Sequence, residues 1–108
     1  MEFSKDKLRI YFAGDLFTHK ALIGNLLIAE AIERLSSRYE VILPQTSEAN
    51  QVRDMQSIRN SDLNMLFSCD CIVANFDGPE LDSGTVVEFC FAKMLDLPSV
   101  LLRTDFRN

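Results

Sequence analysis

The sequence predicts a doubly wound α/β domain, one parallel sheet with helices on both faces. Three observations predict it. Four short apolar runs, "LRIYFA" (8–13), "YEVIL" (39–43), "CIVANF" (71–76) and "LPSVLLR" (97–103), alternate with stretches of helical periodicity. Two of the runs are nearly continuous in apolar residues, as strands covered on both faces are. The 108 residues suffice for one hydrophobic core and not for two, so residues 1–108 are read as a single domain.

Each element follows in order. The first run ends at Gly14 and reads as a strand. Helical periodicity covers 19–37, with Ile28, Ile32 and Leu35 on one face and Glu30, Glu33 and Arg34 on the other. The second run is a strand stopped by Pro44. The next segment is polar at first; Met55, Ile58, Leu63, Leu66 and Phe67 then favour a helix without a sharp start signal. The third strand closes in the turn "DGPE", where Asp77 and Glu80 read as turn residues. A helix over 83–95 follows, and the fourth run is the last strand. The pattern is that of a flavodoxin-like or Rossmann-like domain, without repeats or low-complexity segments.

Composition narrows the partners. The 47% hydrophobic and 25% charged residues suit an ordinary soluble domain, and a net charge of −5 leaves no electrostatic footprint for nucleic acid or an anionic membrane. No apolar run approaches a bilayer span, and "MEFSKDKLR" is too charged for a signal peptide. Cys69, Cys71 and Cys90 are an odd count without framework spacing, read as small buried thiols in a reducing cytoplasm. A C-x-C pair with one histidine, His19, is a poor zinc site, and no metal or cofactor is expected. His19 has no Ser or Cys spaced to pair with it and reads as a surface residue.

Ligands of such sheets bind outside the carboxyl ends of the strands. Asp15, Gln45, Asp77 and the start of the 83–95 helix therefore share one rim. Within "LDSGTVVEFCFA" (81–92), Glu88 stands among Val86, Val87, Phe89 and Phe91. Gly84, Glu88 and Ala92 share a helix face at i, i+4 spacing, so the neighbours of this carboxylate are small and leave room beside it. Asp82 is a helix cap by residue type, and the helix N-terminus favours the charge on Glu88.

"DCIVANFDGPELDSGTVVEFCFAKMLDLPSVLLRTDFR" resembles the core signature of the nucleoside 2-deoxyribosyltransferase family, "IYFAGDLF" its first strand and loop, and "IRNSDLNMLFSCD" its middle helix. The resemblance implies transfer of a 2-deoxyribosyl group between nucleobases. Glu88 matches the nucleophile, Asp82 the residue that helps the base leave protonated, and Asp62 a residue supporting the sugar and the nucleophile. Tyr11 matches an aromatic residue lining the site, and Gln45 stands where such enzymes place a base-contacting amide. Gly14 and Gly84 complete the expected substrate-binding set. The chemistry is coherent: a carboxylate attacking a sugar carbon follows the retaining logic of glycosidases. Three clustered carboxylates cannot all stay ionised at equal cost, so one can donate a proton while another attacks.

The sequence departs from the family pattern in two places. Asp15 replaces a common proline, and Cys90-Phe91 replaces Gly-Tyr, which is expected to narrow or dry the pocket. Family members continue past the fourth strand through a segment that lends an Asn to a neighbouring subunit's site. The chain is therefore expected to be a truncated view of a longer one that works as a homo-oligomer with shared sites. The partners implied are a deoxynucleoside and a free nucleobase. A nucleoside 5′-monophosphate N-glycosidase shares the fold and the Glu. Its phosphate would rest on the loop after the first strand, where "AGDLFTHK" presents Asp15 against a dianion. An inactive nucleoside sensor is the remaining alternative, opposed by the intact Asp62, Asp82 and Glu88 set. Arg103 and Arg107 could hold a phosphate but read as surface or subunit contacts.

Overall fold

A computed structural model describes residues 6–47 and 54–105. Arg107 and residues 48–53 of the polar segment before Met55 lie outside the described residues. Four strands form one parallel sheet: β1 (Leu8–Ala13), β2 (Tyr39–Ile42), β3 (Cys71–Asn75) and β4 (Ser99–Leu102), in the order β2-β1-β3-β4. Helix α1 (His19–Leu35) joins β1 to β2. A single turn, α2 (Pro44–Ser47), and helix α3 (Met55–Phe67) lie between β2 and β3, and α4 (Ser83–Met94) joins β3 to β4. This is the doubly wound, flavodoxin-like α/β fold. The strand order reverses between β1 and β3, which puts the ligand crevice outside their carboxyl ends.

Alternation along the strands divides the core in two. Tyr11, Ala13, Ile72 and Ala74 face one side and pack with Leu66 of α3 and Ala92 of α4. Phe12, with Val41 and Val73 beside it, faces the other side and packs against Ala29 of α1. Both faces are covered, and burial of each large apolar side chain contributes about 1.5–3 kcal/mol.

Local signals set the helix ends. Thr18, Asp54 and Asp82 cap α1, α3 and α4, each accepting from the backbone N–H three residues on (Ala21, Ser57 and Thr85). Helix α4 ends with Asp96 at φ 60°, where Leu97 N–H reaches Ala92 C=O and Asp96 N–H reaches Lys93 C=O. That is a Schellman closure with aspartate in the position glycine usually takes.

The structure corrects several expectations. Leu35 is 77% exposed, because it lies about 100° around α1 from the middle of the buried Asn25–Ala29 side. Pro44 does stop β2, but it also opens the one-turn α2, as its fixed φ allows. Cys69 is buried, whereas Cys90 is exposed, since two residues past Glu88 on a helix is the opposite side. Burial pushes the Cys69 thiol up to about 11 and also raises Cys71.

Candidate active site

A cavity of about 250 Å³ opens at the carboxyl end of the sheet, between the loop after β1, α3 and the start of α4. Gly14, Asp62, Asp82, Gly84 and Glu88 all line it. A larger, shallow groove of about 570 Å³ runs along α3 from Ser57 to Ser68, but its lining holds no ionisable side chain. The chemistry lies in the smaller cavity.

Glu88 is 7% exposed and Asp62 8%, so two carboxylates form the floor. A buried carboxylate costs several kcal/mol unless it is hydrogen-bonded. Glu88 Oε2 accepts from the Tyr11 hydroxyl at 2.8 Å. Tyr11 can reach it because β1 presents residue 11 to the face that α4 covers. Asp82 stands near the rim, about 9 Å of helix rise from Glu88. Its Oδ2 takes both the Thr85 N–H (3.0 Å) and the Thr85 hydroxyl (2.8 Å). The cap thus uses one oxygen, and Asp82 lines the cavity while capping the helix.

The small residues work differently from one another. A Cβ on Gly14 would stand 3.3 Å from a Phe12 ring carbon and 3.4 Å from Asn25 Oδ1, so a larger residue would press on both side chains by a few tenths of an ångström. Gly84 opens the cavity wall, whereas Ala92 packs into the sheet.

Two residues expected to line the site lie elsewhere. Tyr11 is fully buried beneath the carboxylates, where it holds Glu88. Gln45 is absent from the cavity lining: its Nε2 donates to Leu22 C=O (3.0 Å) and its Oε1 accepts from Asn25 Nδ2 (3.2 Å). Both ends of that amide are tied to α1. Asn25, 2% exposed, also donates to Asp15 C=O and so fastens the loop after β1. Cys90 and Phe91 do not line the cavity, and Phe91 packs edge-on against Phe67. Residues not anticipated at the site are Leu16, Phe17, Ile58 and Arg59. The available signal for Arg59 was its i, i+3 spacing from Asp62.

The "RTD" run forms a clamp rather than a ligand site. Asp77 accepts from the Thr104 hydroxyl (2.6 Å), the Thr104 N–H and the Asp105 N–H (2.8 Å). Arg103 donates to Phe76 C=O and to Gly78 C=O (3.1 Å). Gly78 has φ 125°, which the turn into the Asp82 loop requires. The Thr104 hydroxyl bond, with the two backbone N–H groups, holds the Asp77 carboxyl below its ordinary 3.8, while partial burial opposes this. A lowered folded-state value means that the clamp's stabilisation is present above about 3.8 and is lost as pH falls through the folded value. We expect an NMR titration to put Asp77 below 3.8 and Thr104→Val to move it upward. An unmoved midpoint would remove the hydroxyl from the clamp.

A doubly wound domain with a carboxylate cluster at its switch-point crevice defines the class: an α/β protein with a carboxylate-lined cavity where such folds hold ligands. The model of the nucleoside 2-deoxyribosyltransferase family matches residues 10–108, and the chain belongs to that family. A conserved protein from Enterococcus faecalis V583 superposes with a TM-score of 0.85 at 32% identity, over 93% of this chain and 65% of its own. A 2-desoxiribosyltransferase from Leishmania mexicana gives 0.71 at 25% identity, over 93% and 67%. A 2-deoxyribosyltransferase from Bacillus psychrosaccharolyticus gives 0.76 at 20% identity, over 93% and 75%, a likeness of fold. This chain thus spans about two thirds of the length of the first two. No curated protein sequence matches it.

Proposed function

We propose that this site transfers a 2-deoxyribosyl group between nucleobases, with Glu88 as the nucleophile. The observation that carries the reading is the placement of Glu88. It is a buried carboxylate on the cavity floor, one oxygen held by Tyr11, with Asp62 and Asp82 lining the same space. In the first step a Glu88 oxygen bonds to C1′ as the C1′–N bond breaks. The electron pair stays on the base nitrogen, which takes the proton that Asp82 carries. In the second step a nitrogen of the acceptor base bonds to C1′ and the bond to Glu88 breaks. Its electrons return to the carboxylate, and the acceptor's proton passes to Asp82. Two inversions at one carbon retain the anomeric configuration. Asp62 supports the sugar. The loop after β1 gives a 5′-phosphate no welcome, since Asp15 occupies it, its Oδ1 accepting from Phe17 N–H at 2.7 Å.

The same reading makes the protein a cytoplasmic homo-oligomer whose second copy covers the open side of the cavity. The free thiols support a reducing compartment. Phe17, 82% exposed at the rim, supports a covering partner. So does a volume of about 250 Å³, below the roughly 300–1,000 Å³ of finished ligand pockets. Among the described residues no helix is long and apolar enough to cross a membrane.

The test is incubation of size-fractionated protein with deoxyinosine and free adenine or cytosine, followed by chromatography. Deoxyadenosine or deoxycytidine should form, and only in the oligomeric fraction. Accumulation of hypoxanthine and deoxyribose alone would assign a hydrolase instead. Full exchange by a monomer would remove the shared-site assembly.

A further inference from the structure

Arg59 takes no part in the reaction described above, yet it lines the same cavity. It stands three residues before Asp62 on α3, about one turn nearer the open rim. An arginine beside three carboxylates has every electrostatic reason to fold onto one of them. Among the described residues it makes no hydrogen bond or ion pair. The residue as a whole is exposed and lines the site.

The cavity is graded in chemistry from floor to mouth. Asp62 and Glu88 form a buried, acceptor-rich floor, and Leu16, Phe17 and Ile58 supply apolar surface along with Arg59. The two halves of a deoxynucleoside differ in the same way. The sugar carries hydroxyl donors, which suit carboxylate acceptors. The base has two apolar faces and one polar edge. With C1′ at Glu88, a placement that rests on the transfer reading above, the sugar belongs on the floor and the base among the apolar side chains, beside Arg59.

A guanidinium offers five donors and no acceptor. It therefore matches an edge that presents two adjacent acceptors. The O6 and N7 atoms of a 6-oxopurine are such an edge, and an arginine meets them bidentately. Adenine presents an amino donor next to N7, so it offers the fork one acceptor and one clash. We propose that Arg59 is a specificity-determining residue that reads the O6/N7 edge, so that the site prefers 6-oxopurines such as hypoxanthine and guanine over adenine.

Binding of free bases needs no turnover, and so separates this inference from the transfer reaction. The experiment is titration of the intact protein with hypoxanthine, adenine and deoxyinosine 5′-monophosphate, followed by calorimetry or ligand-observed NMR, in wild type, Arg59→Gln and Arg59→Lys. Hypoxanthine should bind wild type roughly tenfold or more tighter than adenine. Arg59→Gln, which offers one donor and one acceptor, should bring that ratio to unity or below, and Arg59→Lys should keep only part of it. Hypoxanthine binding no tighter than adenine, including failure of either to bind, overturns the proposal. So does a ratio that survives Arg59→Gln, or an effect of Arg59 confined to the monophosphate. A protein with the preference but without exchange would keep this inference and lose the transfer reaction; exchange without the preference would do the reverse.

Discussion

Glu88→Ala should reduce base exchange to background while leaving the protein folded. Glu88 forms the bond to C1′, and neither Asp62 nor Asp82 stands where it could take over. Asp62 comes from another helix, and Asp82 is about two turns up α4. Two opposing effects act on stability. Removing one of three clustered carboxylates relieves repulsion and the cost of a buried charge. It also takes the acceptor from the Tyr11 hydroxyl, and a stranded buried donor costs about 1–3 kcal/mol. The cavity beside residue 88 can admit water to that hydroxyl, so a net loss of stability should be small against a typical total of about 5–15 kcal/mol. Circular dichroism and a thermal melt report the fold, and the exchange assay reports the chemistry. Exchange at a rate comparable with wild type would move the nucleophile elsewhere.

Asp82→Asn should slow exchange by about 10²–10⁴-fold, the usual worth of general acid–base help. At 1.36 kcal/mol per tenfold this is about 3–5 kcal/mol of barrier. Asparagine isolates the proton from the cap, because Asn caps a helix about as well as Asp. Its side-chain oxygen can still accept from Thr85 N–H and the Thr85 hydroxyl. The melting temperature should therefore stay near wild type while turnover falls. A variant that melts early and loses activity in proportion would show Asp82 to be a cap and nothing more.

The strands were legible because each is a compact apolar run ended by a residue that cannot continue it, such as Gly14 or Pro44. Their carboxyl ends then pointed to the crevice that Asp62, Asp82 and Glu88 line. Side-chain direction was harder to read. Tyr11 stands at the strand end expected to line the cavity, yet strand alternation sends it beneath α4, where its hydroxyl meets Glu88. Gln45 leaves β2 as expected, but the turn opened by Pro44 directs its amide to Asn25 and Leu22. Asp77 reads locally as a turn residue, and its partners Thr104 and Asp105 lie 27 and 28 positions away, a pairing that no local pattern encodes. Arg59 looks like any polar helix residue until the cavity places it beside Asp62.

The most direct test of Glu88 as nucleophile is mass spectrometry of the protein held with a deoxynucleoside and no acceptor base. Wild type should carry one added deoxyribosyl group, on the peptide containing Glu88, and the addition should vanish in Glu88→Ala. An adduct on any other peptide, or continued exchange by Glu88→Ala, would contradict the assignment.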